Sequence, residues 1–379
     1  MRKLNGFWKH FITFMSVALV LFQIYTAGFG VFPDIVQRSV HLFFVLAMIY
    51  IRKPIKKGVA MDHVPIYDII CCILCMICTG YLITIYDKIL WDPTQWISTA
   101  DKIFAVLLVV LILEASRRAV GLTFPIMAIF FLFYAMKGQL FPGTWAHKNF
   151  TFNQVFWMLY HTTNGIWGQM VGLLAMFGIF GAVLSITGGS QTFIRIAQKL
   201  TGKATGGPGK VALIASGLFG MISGSAMANV VATGTFTIPM MKDEGYDKEW
   251  SAAISAVGSC GGQLMPPIMG SAAFIMAQLI GVPYMSIAKA ALLPAILYYL
   301  GAFVAIHYIS KRLGIKGKGM EAKLGKIELA IIFIPLGVFV GFLAMSYTVT
   351  KAAFWATIIG VVTTAICYFI QKEADAVKK

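Results

Sequence analysis

The sequence predicts an all-α, polytopic membrane protein, and three observations carry that expectation. Hydrophobic residues make up 59% of the 379 residues and charged residues only 12%, against about 25% charged in an average soluble domain. Apolar runs of span length alternate with short basic loops along most of the chain,. Between Gly206 and Ile280 two of those runs are interrupted by small polar residues, glycine and proline.

The first apolar run, from Phe11, follows Arg2, Lys3 and Lys9 and continues for about 20 residues, the length of a helical span. It lacks a small-residue cleavage site, so it reads as a retained span rather than a leader,. Spans are expected at 11–32, 36–51, 66–86, 102–116, 121–141 and 168–187, then at 284–309, 327–347 and 351–370. With the amino terminus inside, most of the 31 Lys and Arg fall on inner loops, as the positive-inside rule requires. Trp91, Trp96, Trp145, Trp157 and Trp167 fall on outer loops or span ends, where amphipathic rings favour the headgroup layer,. The stretch 150–167 is expected to lie as a helix on that outer surface. From 190 to 205 a basic amphipathic arm is expected, with Phe193, Ile194, Ala197 and Leu200 on its apolar side and Arg195, Gln198, Lys199 and Lys203 elsewhere,.

The arm leads into the interrupted region. Residues 208–241 consist of two apolar pieces of about 14 residues, shorter than the ~20 needed to cross a bilayer, joined at Ser223-Gly224-Ser225. That pattern predicts a re-entrant helical hairpin. The next segment, 250–281, is long enough to cross but is expected to unwind from Gly258 to Pro267 through three glycines and two prolines,. Unwound backbone at membrane depth persists only where it is buried in protein or lines a wet cavity. Two such breaks close together are expected where a transporter holds ions and substrate.

Candidate site residues follow from that expectation. Ser223, Gly224, Ser225, Asn229 and Thr233 lie around the hairpin tip, with Ser225, Asn229 and Thr233 at four-residue spacing on one helix face,. Gly258, Ser259, Gly261, Gly262, Gln263, Pro266 and Pro267 form the second break. Hydroxyl, amide and freed carbonyl oxygens suit a small alkali cation, and a half-helix amino terminus suits a carboxylate. Ser225, Asn229, Gly258 and Gly262 are the candidate Na⁺ ligands. No buried acid stands beside the breaks, so Na⁺ rather than H⁺ is the expected coupling ion, with H⁺ as the alternative.

Other chemistry finds little support. The net charge of +16 is spread over short loop clusters rather than a stripe, so nucleic acid is not an expected partner,. Gly209-Lys210 lacks the phosphate-loop spacing, the six histidines lack metal spacing, and no cofactor is expected,. The cysteines Cys71, Cys72, Cys75 and Cys78 read as small packing residues. Asp68 and Glu114 are acids near the inner surface, and Glu114 reads as an ion-pair partner of Arg117 and Arg118.

At these residues the chain resembles the fused membrane component of the tripartite ATP-independent periplasmic (TRAP) transporters, in the branch served by a TAXI-type binding protein. The matching stretches are Leu113 to Gly121, Ser223 to Val231, Gly234 to Lys242 and Gly261 to Gly270. The resemblance implies a small-subunit-like region at 1–145 and a large-subunit-like transport region at 146–379. It implies cation-driven symport of small organic acids, such as dicarboxylates, delivered by a periplasmic binding protein to a bacterial inner-membrane permease, by an elevator motion. The tip residues and the 258–267 loop would be half of the site. The family's transport subunit has two inverted repeats, whereas 314–379 holds two plain spans and a charged tail. A second repeat, in trans or in a longer chain, is therefore expected to complete the cradle. A non-transporting scaffold that only docks a partner is the alternative function.

Overall fold

The computed structural model describes residues 2, 4–30, 32–55, 63–91, 97–161, 171–317 and 324–377, and among them every regular element is helical. Among the described residues, six helices are long and apolar enough to cross a bilayer. The chain is a multi-pass membrane protein, and it divides into two compact units, Met1–Gly172 and Leu173–Lys379.

The first unit contains α1 (Phe7–Phe29), α2 (Asp34–Arg52), α3 (Ile66–Thr84), α4 (Tyr86–Trp91), α5 (Thr99–Ala119), α6 (Thr123–Met136) and α7 (Phe152–Tyr160). Its core joins α2, α3 and α5 through Tyr50, Cys75, Cys78, Leu82 and Leu108, all fully buried. The cysteines therefore act as small apolar packing groups, and every described one is free,. Tyrosine hydroxyls tie the core together: Tyr50 donates to the Leu111 carbonyl at 2.7 Å and Tyr160 to the Cys78 carbonyl at 2.9 Å. Outward, α6 exposes Phe124, Ile126, Ile129, Phe130 and Phe133. Such a surface is stable only against hydrocarbon or another apolar partner.

Asp68 accepts from Arg2 and from Arg118, and Glu114 accepts from Arg118 at 2.7 Å and from Arg117 at 2.7 Å. Glu114 is thus an ion-pair partner, as its spacing implied. Arg2 was expected only to mark the inner side. Instead it is buried and donates to the Tyr50 carbonyl at 2.8 Å and the Ile51 carbonyl at 3.1 Å, so the start of the chain is pinned across α2 and α3.

Several boundaries differ from expectation. The fifth predicted span, 121–141, is a 14-residue helix followed by short turns at Gly138–Leu140 and Gly143–Trp145. Lys137 and Gly138 end it, where the chain turns so closely that a methyl group on Gly138 would lie 2.3 Å from the His147 ring. In the expected surface helix at 150–167, α7 covers Phe152–Tyr160, starting at a capping box formed by Thr151 and Gln154,. Residues 162–167, with Trp167 among them, and Trp96 lie outside the described residues. Trp91 and Trp145 are exposed, while Trp157 packs against the core.

The second unit begins with α8 (Val171–Ile186), which turns by 67° into α9 (Gly189–Thr201), the predicted arm. Its apolar face is real: Phe193, Ile194 and Ala197 are buried, and α9 lies along α10 (Gly207–Ser223). Leu200, assigned to that face, is exposed instead, because the buried stripe drifts toward Thr201. Arg195 on the arm pairs with Glu328 on α15 (Lys326–Ala344). The hairpin α10–α11 (Ala226–Asp243) packs on α12 (Lys248–Gly262), followed by α13 (Ser271–Ile280), α14 (Tyr284–Arg312) and α16 (Val349–Val377).

Candidate ion and substrate site at the hairpin tip

The hairpin is closed at both ends. At its base, Tyr246 donates to the Gly206 carbonyl at 3.4 Å and also meets Ser310 on α14. The chain thus enters α10 and leaves α11 at nearly the same place. At its tip, Gly224 adopts a left-handed conformation (φ 60°), which glycine tolerates at no steric cost,. Ser225 then caps α11 by accepting from the Ala228 amide at 3.3 Å,.

Length does not account for the turn. The two helices have 17 and 18 residues rather than about 14, or roughly 26 Å each at 1.5 Å per residue. The second helix carries Pro239 inside it and runs on to Asp243, just past the expected end of the hairpin at 241. Re-entrance therefore rests on the U-turn at Gly224 and on the joined base, not on segments too short to span.

The second break is shorter than its composition implied. Gly258, Ser259, Gly261 and Gly262 are helical residues of α12, and the interruption runs from Gln263 to Gly270. Packing explains why the glycines stay helical. A methyl group on Gly262 would lie 2.6 Å from the Cα of Gly220 on α10. One on Gly258 would lie 3.1 Å from the Cβ of Ser216. These glycines serve close helix approach, which offsets their propensity cost of about 1 kcal/mol each. The Gly258 carbonyl is not free but accepts from Tyr299 at 2.8 Å. Gly258 and Gly262 as backbone cation ligands thus lose the unwound geometry that motivated them.

The break itself folds back on the hairpin. The Gly270 amide donates to the Gln263 carbonyl at 2.8 Å, closing the loop, and the Ile268 amide donates to the Met221 carbonyl at 3.2 Å. A methyl on Gly224 would lie 2.3 Å from the Met269 carbonyl oxygen, so tip and loop are in direct contact. Met269 has φ 59°, a conformation costing a non-glycine residue of order 1–3 kcal/mol,. Tyr284 holds the loop by donating to the Pro267 carbonyl at 2.9 Å and also to that of Ile268. Its ring stacks on Phe274 at 4.3 Å, which in turn stacks on Phe177 at 4.9 Å.

The predicted residues therefore separate into two groups. Ser223, Gly224, Ser225, Pro266 and Pro267 lie at the meeting of tip and loop, half-buried, with the Ser223 hydroxyl enclosed and without a hydrogen-bond partner. Gln263 is exposed at the rim. Asn229 and Thr233 lie deeper, fully buried between α10, α11 and α12. The Asn229 amide donates to the Ser216 carbonyl at 2.7 Å, and the Thr233 hydroxyl lies 3.1 Å from that of Ser216. Ser259 is also fully buried on α12. Sequence reasoning missed Ser216, Ser255, Tyr284 and Tyr299. The repeat Ser251, Ser255, Ser259 at four-residue intervals was a visible sign of a polar helix face.

A multi-pass helical protein whose hairpin tip meets an interrupted helix over buried oxygens belongs among the membrane transport proteins. Residues 107–375 match the profile of the tripartite ATP-independent periplasmic transporter, DctM component, and the chain belongs to that family. The match begins within α5. The isethionate TRAP transporter permease DctMQ of Oleidesulfovibrio alaskensis is 29% identical over 48% of this chain and 30% of its own length. The sialic acid permease SiaT of Haemophilus influenzae is 34% identical over 50% and 32%. The C4-dicarboxylate large permease DctM of Vibrio cholerae is 26% identical over 65% and 57%. The chain thus spans less than two thirds of the length of these relatives. They are transport proteins rather than enzymes.

Proposed function

We propose that the chain is the permease component of a cation-gradient-driven importer of small carboxylate-bearing solutes. The observation that carries this reading is the contact of the Gly224 tip with the 263–270 loop, which gathers oxygens and the amino-terminal ends of α11 and α13 at one place. Helix amino termini favour an anionic group, and the solutes named for the relatives are organic acids. The enclosed, unpartnered Ser223 hydroxyl fits a hard cation such as Na⁺ better than a proton, which would need a titratable acceptor.

In this reading a periplasmic binding protein of the TAXI type delivers the solute. The amino terminus is cytoplasmic, and a second repeat, in a longer chain or a separate one, supplies the opposite wall. The hairpin and α12 move together as the carrying body, as their glycine contact supports. The test is solute uptake into liposomes containing the complete set of partners, with imposed Na⁺ or proton gradients. Gradient-dependent uptake that Asn229→Ala abolishes supports the proposal. Uptake unaltered in that variant would make Asn229 and its buried neighbours structural. Purified chain that docks a binding protein but never binds solute with saturation would make it a scaffold.

A further inference from the structure

Between α5, α6 and α7 the first unit holds a cavity of about 440 Å³, within the ~300–1,000 Å³ range of small-molecule sites,. Every described side chain lining it is apolar, among them Ile112 of α5, Ala128, Leu132 and Ala135 of α6, Phe150, and Met158 of α7. The stretch from Ala128 to Ala135 covers about 10 Å at 1.5 Å per residue, so the cavity is a groove that follows α6. The outward face of the same helix exposes Phe130 and Phe133, which places the groove at hydrocarbon depth,. Water finds no polar partner there. Hydrocarbon is the chemistry it suits.

One end of the groove is built differently. There the 137–150 loop folds back on α6: the Phe150 amide donates to the Ala135 carbonyl at 3.1 Å, and the His147 amide to the Gly138 carbonyl at 3.4 Å. Tyr134 fixes the loop by donating to the Trp145 carbonyl at 2.6 Å, and its ring meets that of His147 edge-on at 4.6 Å. Lys137 and Lys148 stand on either side of the Gly138–His147 bond, both exposed, each two residues from a lining residue, Ala135 and Phe150. The exposed Trp145 in the same loop marks the headgroup layer, where indole rings collect,. The sequence supplies no acid from residue 115 to 242 to neutralise the two lysines.

We propose that this groove seats one acyl chain of an anionic phospholipid whose phosphate is held by Lys137 and Lys148. An apolar channel that ends at two ammonium groups matches a molecule with a hydrocarbon chain ending at a phosphate. Free phosphate would leave the groove empty, and an apolar helix of another protein would leave the lysines without an anion. The seated chain bridges α5, α6 and α7, and so holds α7 on the two longer helices. The site is independent of the solute and the coupling ion, because none of its residues belongs to the hairpin or to the interrupted helix.

The test titrates the full chain, delipidated in detergent, with phosphatidylglycerol or with phosphatidylcholine of the same acyl chains, read by native mass spectrometry and thermal unfolding. Phosphatidylglycerol should be retained more tightly, by about fivefold per lysine, and should raise the melting temperature several degrees further than phosphatidylcholine. Lys137→Gln/Lys148→Gln should lose that preference, whereas Lys311→Gln/Arg312→Gln at the exposed end of α14 should keep it. Ala135→Phe, which fills the groove, should lose tight retention of either lipid. Both lysines are exposed, so their double variant decides the question if Ala135→Phe does not fold. Equal retention of the two lipids by the unaltered chain overturns the proposal. So does a preference that survives without Lys137 and Lys148, one that the α14 variant loses equally, or tight retention in folded Ala135→Phe. A lipid-free mass of two chains that Ala135→Phe abolishes gives the groove to a second copy, and overturns it as well.

Discussion

Replacing Gly262 by alanine tests whether α10 and α12 are held at glycine distance. The added methyl would lie 2.6 Å from the Gly220 Cα and 3.0 Å from Asn229 Nδ2, while comfortable carbon contacts are about 3.5–4.0 Å. The struck atom is backbone, so no side-chain rotation relieves the clash, and the helices must part by about 1 Å. Overpacking of this kind costs about 1–3 kcal/mol, and the upper part of that range applies because the Asn229 bond to Ser216 is strained too. A matched control exists: a methyl on Gly301 in α14 meets nothing within 4 Å. There the gain in helix propensity should stabilise by about 0.5–1 kcal/mol. The two substitutions therefore differ in sign. Thermal unfolding in detergent should show Gly262→Ala melting several degrees below the parent and Gly301→Ala at or above it. If Gly262→Ala melts no lower than Gly301→Ala, the close approach of the two helices is not what holds α12 on the hairpin.

Substitutions at four further sites have defined expected outcomes. Asp68→Asn leaves the Arg2 and Arg118 guanidiniums, exposed by 0% and 2%, without their shared carboxylate; it should cost about 3–5 kcal/mol in a melt. Arg117→Ala, on a side chain exposed by 33%, should cost less than about 1 kcal/mol,. Tyr284→Phe removes the donor to two loop carbonyls and should cost about 1–3 kcal/mol, with solute affinity of the assembled transporter falling as the 263–270 loop loosens. Lys210 is buried with its ammonium 3.1 Å from His307 Nδ1 and over the Phe303 ring. Lys210→Met, which keeps the volume and removes the charge, should be neutral or stabilising in the same melt, whereas Lys210→Ala should destabilise by leaving a cavity.

The helical class, most spans, the arm and both interruptions were legible in the chain because each depends on local composition. A long apolar run favours a span through its own composition, as it does in α1, α3 and α15,. The tip at Ser223-Gly224-Ser225 was legible for the same reason: a left-handed glycine between two serines turns the chain with its own atoms. Composition misled at Gly258 to Gly262, where low propensity predicted unwinding. Helix propensity counts only what a residue does to its own backbone, and the contact with Gly220 is made by a residue some forty positions away. The burial of Arg2 against Asp68 and the meeting of Asn229 with Ser216 and Thr233 were likewise settled only when distant segments were brought together. Sequence alone thus determined which pieces are helical, apolar and interrupted. Tertiary structure decided which interruptions are real and which oxygens face one another, because those depend on close approach between helices rather than on the preferences of any one of them.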